Sequence, residues 1–312
     1  MYYMKNHELV KCPGSQKPLI FAVPGGKVYI GDHWENTRSS FLNISITGEQ
    51  CVLQCRHCRG ELLKGMITAP DSSTLISITE KYARSGDLKG MLISGGFGSD
   101  GKLDFGPLLD GMGFIKNKYP GLTIYIHTGF LDKDEVIALK DTGVDAVLVN
   151  LINSSIAIED VYNLKGRTYD DYLETIRLLK QGGLKVSPHI IIGLENGRLS
   201  GEFKAASDAV SMGADSIVFA VLKKASRHID FPASAIPHED IIGLVKHTRR
   251  LSPDIPLSFG CAKVAGKDRH LLEIGLIEAG IDSIAFPSEG AVKYAVENKI
   301  AHTFIEKCCA NL

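Results

Sequence analysis

The chain's 312 residues, 44% of them hydrophobic and 23% charged, suffice for one large α/β domain or two medium ones. A formal net charge of −1, with no block of five or more like charges, argues against a broad nucleic-acid or membrane footprint. No run approaches the ~18 uninterrupted apolar residues of a membrane span. The opening MYYMKNHELVKCPGSQ lacks the apolar core and cleavage site of a secretory signal. Seven cysteines, an odd number in a chain too large to need covalent staples, point to a reducing cytoplasm and to metal or redox chemistry.

Residues 1–40 read as an N-terminal extension holding Cys12 and a hairpin, LIFAVPGGKVYIG, with two β-rich runs around Pro24-Gly25-Gly26. From residue 41 onward, short β-branched runs alternate with segments of helical period. The strand-like runs are 41–47, 90–95, 122–128, 146–152, 185–192, 216–222, 255–260 and 283–287. The helical segments are 72–85, 104–118, 132–142, 169–182, 200–212, 237–251, 268–279 and 289–299. Asp132 and Thr168 stand where helix N-caps belong, and Gly143, Gly182-Gly183, Gly213 and Gly280 where helices stop. Eight strand–helix units in sequence predict an α/β fold, a (β/α)8 TIM-type barrel over 41–290. A doubly wound open sheet is the alternative, because strand order is invisible in a sequence. Residues 291–312 supply the last helix and a tail ending in Cys308-Cys309. Both terminal extensions are expected to fold over the barrel mouth, where the C-terminal ends of the strands gather the chemistry.

Directly after the first predicted strand comes GEQCVLQCRHCRG, with Cys51, Cys55 and Cys58 inside eight residues. Soft thiolates select zinc, copper(I) or iron–sulfur clusters. A structural zinc site needs a fourth ligand, and His57 sits inside the Cys55–Cys58 loop, badly placed to supply it. Three thiolates on a 4Fe-4S cube leave one iron free to bind something else.

This C-x3-C-x2-C loop after the first strand of a (β/α) barrel resembles the radical S-adenosylmethionine (SAM) enzymes. The resemblance implies a SAM-binding 4Fe-4S cluster on Cys51, Cys55 and Cys58, with SAM at the open iron and a 5′-deoxyadenosyl radical that takes hydrogen from an unactivated carbon. ISGGFG (Ile93 to Gly98) sits where that family has Gly-Gly-Glu, which makes Ser94, Gly95 and Gly96 candidates for the SAM methionine group. Phe97 replaces the acidic residue. HIIIGLENG (His189 to Gly197) is similar to the family's strand-five motif beside the adenine, which brings in His189, Gly193 and Glu195. His57 stands for the aromatic that flanks the adenine, and Asn150 for a ribose or carboxylate contact. Core packing is an equally open reading for His127 and His189.

The remaining cysteines, Cys12, Cys261, Cys308 and Cys309, number enough to ligate a second, auxiliary 4Fe-4S cluster. Burial as small hydrophobes is the plain alternative. Two clusters in one barrel suggest sulfur insertion at a C–H bond. SITGEQCVLQCRHC, LISGGFGSDG, SPHIIIGLENGRLSGE, LSFGCAKVAGKDR and the FPSEGAVKYAVE…IEKCC ending resemble a biotin-synthase-related, mainly archaeal group of radical SAM proteins. Members of that group are subunits of a two-protein lipoyl synthase. The resemblance implies sulfur insertion at C6 or C8 of an octanoyl chain on a carrier protein (a lipoyl domain or H-protein type). It also implies a companion radical SAM subunit and a ferredoxin- or flavodoxin-type electron donor.

Further roles follow by position. Arg269 and Lys263, beside Cys261, are candidates for SAM's carboxylate or the carrier's acidic surface, and Lys223, Lys224, Arg227 and His228 for receiving that carrier. Tyr162 and Arg167 are candidates for the substrate entrance. A radical SAM mutase or maturase without sulfur insertion, biotin-synthase-like chemistry, and an iron–sulfur scaffold or electron carrier all remain open. Transfer-RNA thiolation is disfavoured by the charge.

Overall fold

The computed structural model describes residues 17–222, 228–229, 231, 236–263 and 266–310, together with the backbone of 2–5 and 8–11. Strands β1 (Tyr2–Lys5) and β2 (Glu8–Lys11) form a separate antiparallel pair. β3 (Leu19–Ala22) precedes β4 (Phe41–Ser45) and the short β5 (Ile67–Thr68). Then come β6 (Gly90–Ser94), β7 (Thr123–Thr128), β8 (Ala146–Asn150), β9 (Val186–Ile192), β10 (Ile217–Val221), β11 (Leu257–Phe259), β12 (Ser283–Ala285) and β13 (His302–Ile305). The helices are α1 (Ser72–Ala83), α2 (Leu109–Lys118), α3 (Lys133–Asp141), α4 (Tyr169–Gln181), α5 (Glu202–Ser211), α6 (His238–Leu251), α7 (Arg269–Glu278) and α8 (Glu289–Glu297).

All eight expected βα units are present: β4 and β6 to β12 are each followed by one helix. Their strands form one curled parallel sheet in the order β13-β3-β12-β11-β10-β9-β8-β7-β6-β4-β5. The central strands read as near-continuous apolar runs because both faces of the sheet are largely covered. Ile44, Ile93, Ile124, Ile126, Val147, Val149, Ile190 and Ile192 face the helices and are fully buried. Phe41, Tyr125, Leu148 and Val218 point the other way, into the barrel, where they pack with Cys308, Cys309 and Ala310. The helix boundaries follow the expected punctuation. Asp132 with Glu135, and Thr168 with Asp171, close capping boxes at α3 and α4. Gly143, Gly183, Gly213 and Gly280 take positive φ just past helix ends.

The expected hairpin at 19–31 does not form. Leu19–Ala22 instead lies between β12 and β13, paired in parallel with both. After Ala22 the chain turns around the Asn36 amide, which donates to the carbonyls of Val23, Pro24 and Lys27 at 2.8–3.2 Å. A strand with two parallel partners buries more backbone and side chain than a lone hairpin, so the second β-rich run is left as a loop with Ile30 exposed. β13, within the expected C-terminal tail, was not anticipated, since HTFI is too short to stand out from its surroundings. Within the terminal segments, β3 and β13 thus complete the sheet itself.

Arg249, near the end of α6, ties this last sector together. Its buried guanidinium donates to the carbonyls of Gly280, Pro253 and Ile255 and pairs with Asp282 at the start of β12. Arg249→Ala strands those carbonyls and the carboxylate, and should lower the unfolding free energy by about 3–5 kcal/mol in denaturant titration, whereas a surface change such as Lys293→Ala should cost under about 1 kcal/mol.

Candidate active site

The cysteine loop leaves the end of β4 and is held from two sides. On one side, Thr47 Oγ1 donates to the Gln50 carbonyl (2.8 Å) and accepts from the Gly96 N–H (2.7 Å). The Phe97 carbonyl accepts from the N–H groups of Val52 (3.1 Å) and Leu53 (3.0 Å). On the other side, the Val161 carbonyl accepts from Arg56 N–H at 2.8 Å, and the Asn163 amide donates to the Leu53 carbonyl at 3.1 Å. Val161 ends a single π-helical turn, Ala157–Val161, a wide turn of a kind that recurs at functional sites. The Cys55 thiol donates to the Tyr162 carbonyl at 3.7 Å.

Gly96 explains why this loop can come so close. A Cβ there would lie 1.9 Å from the Gln50 carbonyl and 2.5 Å from the Cys51 Cα. Only a hydrogen fits between the end of β6 and the cysteine loop. Gly95 is less tight, with its nearest neighbours at 3.1 Å.

Cys55 is buried, while Cys51 and Cys58 are half-buried. Burial, then the neighbouring thiols Cys51 and Cys58, push the Cys55 pKa up to about 12, and burial raises that of Cys58. Three thiolates crowded in such a place need compensating cationic charge, which iron supplies. Among the described residues, no three His, Cys, Asp or Glu side chains gather around a single ion position, as a mononuclear zinc site would require. A cluster asks for something different, one thiolate on each of three irons, and this trio fits that donor set.

His57 turns inward beneath the loop. Its ring stands 5.0 Å from that of Tyr162 and edge-on to Phe231 at 6.4 Å, and its buried Nδ1 has no hydrogen-bond partner. Burial lowers its pKa to about 4, so the imidazole is neutral.

The ends of β6 to β9 bring four polar side chains together. Ser94 Oγ donates to the His127 carbonyl (2.9 Å), His127 Nε2 meets Asn150 Oδ1 (3.3 Å), and the His127 and His189 rings are 5.6 Å apart. His189 Nδ1 meets the Ser187 carbonyl at 3.1 Å, which fixes the proton on Nδ1 and leaves Nε2 as an acceptor. Burial, then His127, lowers the His189 pKa to about 3. Ser94, Asn150 and His189 thus meet where the sequence put them, with His127 as the bridging member.

Other candidates are placed elsewhere. Gly193 holds a tight turn: its φ is +87°, a Cβ would meet Ile236 at 2.3 Å, and its N–H donates to buried Glu202 at 2.9 Å. Glu195 accepts from Ser154. Arg269 does not reach the strand-end group. It donates to Glu273 (2.8 Å) and to the Phe286 carbonyl, alongside buried Lys263, whose Nζ is 2.7 Å from the same carboxylate. Fully buried Glu273 also accepts from Ser288, so these cations serve the junction of α7 and α8. Tyr162 is buried under the loop, and Arg167 lies over Phe130 at 4.5 Å while bonding Asp171 and the Asp100 carbonyl. Of the basic group, His228 is exposed, while Lys223, Lys224 and Arg227 lie outside the described residues, as does Cys12. Cys261 Sγ, after β11, stands 3.9 Å from Cys309 Sγ, with Cys308 adjacent in the tail. A cleft of about 450 Å3 adjoins the cysteine loop, lined by Thr47, Gly96, Gly98, Lys102 and Glu135 among others.

The family model for the radical SAM superfamily matches residues 45–197, which contain the cysteine loop and all four strand-end side chains. The chain belongs to the radical SAM superfamily. It is similar to a biotin synthase of Saccharopolyspora erythraea, 26% identical over 192 residues. That match covers 59% of this chain and only 52% of the relative's length. Among solved structures, a methylornithine synthase (PylB) aligns with a TM-score of 0.56 at 14% identity, covering 79% of this chain and 71% of that one. The FeFe-hydrogenase maturase HydG from Carboxydothermus hydrogenoformans aligns at 0.60 with 13% identity, covering 87% and 68%. At such identities these structures show a shared barrel fold. Membership of the radical SAM superfamily implies a SAM-binding 4Fe-4S cluster, for which Cys51, Cys55 and Cys58 are the fitting ligands.

Two sequence features escaped notice: the Phe97 carbonyl as an anchor for the loop, and the π-turn that clamps it from β8. Gly96→Ala should push Cys51 aside, and anaerobic reconstitution should then load about four fewer irons per chain with the far-UV circular dichroism unchanged. The buried histidine pair predicts a pH signature. A folded pKa of about 3 for His189, below the unfolded 6.5, means the unfolded state takes up more protons, so stability falls as pH drops from 6.5 towards 3. In urea titrations His189→Gln should flatten that fall.

Proposed function

We propose that this chain is a radical SAM sulfur-insertion enzyme, one subunit of a two-protein lipoyl synthase that adds sulfur at C6 or C8 of a carrier-bound octanoyl chain. The observation that carries the reading is a second thiol group inside the barrel, Cys261 after β11 with Cys309 at 3.9 Å and Cys308 beside it. A hydrogen-abstracting enzyme needs no such group, whereas sulfur insertion needs a sulfur source close to the substrate. An auxiliary 4Fe-4S cluster held by these thiols, with Cys12 completing the set, is that source. The likeness to a biotin synthase, itself a sulfurtransferase, supports the same class of chemistry.

A 4Fe-4S cluster held by Cys51, Cys55 and Cys58 would supply the reductive cleavage of SAM on which hydrogen abstraction from carbon depends. The chain's own residues do the positioning. Cys51, Cys55 and Cys58 hold the cluster, Gly95 and Gly96 bring backbone up to SAM, and Asn150 and Ser94 offer neutral polar contacts at the strand ends. A ferredoxin- or flavodoxin-type donor delivers the electron, and a companion radical SAM subunit makes the other insertion.

Anaerobic turnover of an octanoylated lipoyl domain or H-protein, with and without a companion radical SAM protein, tests this by product mass. The expected product gains sulfur, and the reconstituted chain carries about eight irons, falling to about four in Cys261→Ala/Cys309→Ala. About four irons in the unaltered chain, with 5′-deoxyadenosine formed but no sulfur transferred, would favour a mutase or maturase. No 5′-deoxyadenosine at all would leave an iron–sulfur scaffold or electron carrier.

A further inference from the structure

Burial along the strands is uneven in a systematic way. In β4 and β6 to β9, the half-buried residues are Asn43, Leu92, His127, Asn150, His189 and Ile191. Every one has the parity of the side chains that point into the barrel, whose helix-facing neighbours are fully covered. On β10, β11 and β12 every residue is buried, lumen-facing ones included. Half of the lumen is therefore open and half is filled.

The filling comes from the tail. Most inward residues on the far side are small, Ser216, Ser258, Ser283 and Ala285, and leave space that the barrel strands cannot close themselves. Cys308, Cys309 and Ala310 occupy it, in one packed cluster with Phe41, Tyr125, Leu148 and Val218. Ser216 Oγ donates to the Ala310 carbonyl at 3.0 Å and lies 2.7 Å from Ser187 Oγ. Phe41, Tyr125, Leu148 and Ser187 are each two residues before Asn43, His127, Asn150 and His189, one layer deeper along the same strands. The tail thus lies at the floor of the open half.

Among the described residues, the half-buried strand side chains that line the open half carry no formal charge. The six are two apolar side chains, two amides and two imidazoles, and burial keeps both imidazoles neutral at pH 7. A carboxylate or ammonium driven to that depth would lose its hydration with no counter-charge to replace it.

We propose that this half-lumen is a binding chamber for an uncharged alkyl or acyl chain, and that residues 308–310 form its floor and set the length it accepts. The choice of an acyl probe rests on the function proposed above. The chamber discriminates by depth and by charge: a chain's methyl end is taken, and the same chain ending in a carboxylate is refused. Leu92 and Ile191 line it, and the tail, pinned by Ser216, stops it.

Equilibrium dialysis with the iron-free full chain, without SAM or reductant, isolates binding from chemistry. The probes are Nε-octanoyl-lysine amide, its dodecanoyl homologue, and the analogue whose eight-carbon chain ends in a carboxylate. The octanoyl probe should bind at least tenfold more tightly than either of the others. Leu92→Trp should abolish its binding, with Ile191→Phe as a second filling variant should the first misfold by circular dichroism. Truncation after Lys307, or Ser216→Ala should the truncated chain unfold, should raise dodecanoyl affinity at least tenfold. Equal affinity for neutral and carboxylate-ended probes, or a length preference unmoved by the tail variants, overturns the proposal. Retained octanoyl binding without sulfur transfer to any octanoylated carrier would sink the lipoyl reading and leave the chamber standing.

Discussion

The site depends on one steric constraint, the contact between Gly96 and the backbone of Gln50 and Cys51. The end of β6 approaches the cysteine loop to a distance that excludes any side chain, and the hydrogen bonds from Gly96, Val52 and Leu53 form only because of that approach. Every other property of the loop follows from its being pinned there. Cys55 is turned under toward Tyr162, Cys51 and Cys58 stay accessible, and His57 is forced into the aromatic pocket below. A loop free to wander would offer three thiols in no set arrangement, whereas this one presents them from a fixed backbone frame.

The frame was legible in the sequence because its signals are local. The β-branched runs, the N-caps at Asp132 and Thr168, and the glycines after each helix are decided within a few residues of chain, and each fell within a few positions of its place. The cysteine trio was legible for the same reason. Long-range partners were not. Leu19–Ala22 looks like half of a hairpin because its true partners, at Ser283–Ala285 and His302–Ile305, lie at the other end of the chain. Arg269 illustrates the same limit. Its proximity to Cys261 suggested a ligand contact, but buried Glu273 satisfies it, and a buried carboxylate without its cations would be far costlier than a missing surface charge.

The strand-end group shows how a barrel builds a polar site without charge. Ser94, His127, Asn150 and His189 belong to four successive strands, and each occupies an inward position near the mouth. Parallel register brings them side by side, so a single contact between His127 and Asn150 orders two strands at once. The His189 tautomer is set by a neighbour with no freedom to turn, the Ser187 carbonyl. Such a group presents dipoles rather than ions, which suits neutral ligands.

The joining of β3 to β12 and β13 has a bearing on biosynthesis. As the polypeptide emerges from the ribosome, Leu19–Ala22 is out long before either of its neighbours is made. Until then both edges of that strand stand open, in the situation that invites chaperone capture or intermolecular pairing. Closing the sheet at β3 consequently waits for β12 and β13, so this sector is the last of the barrel to be sealed.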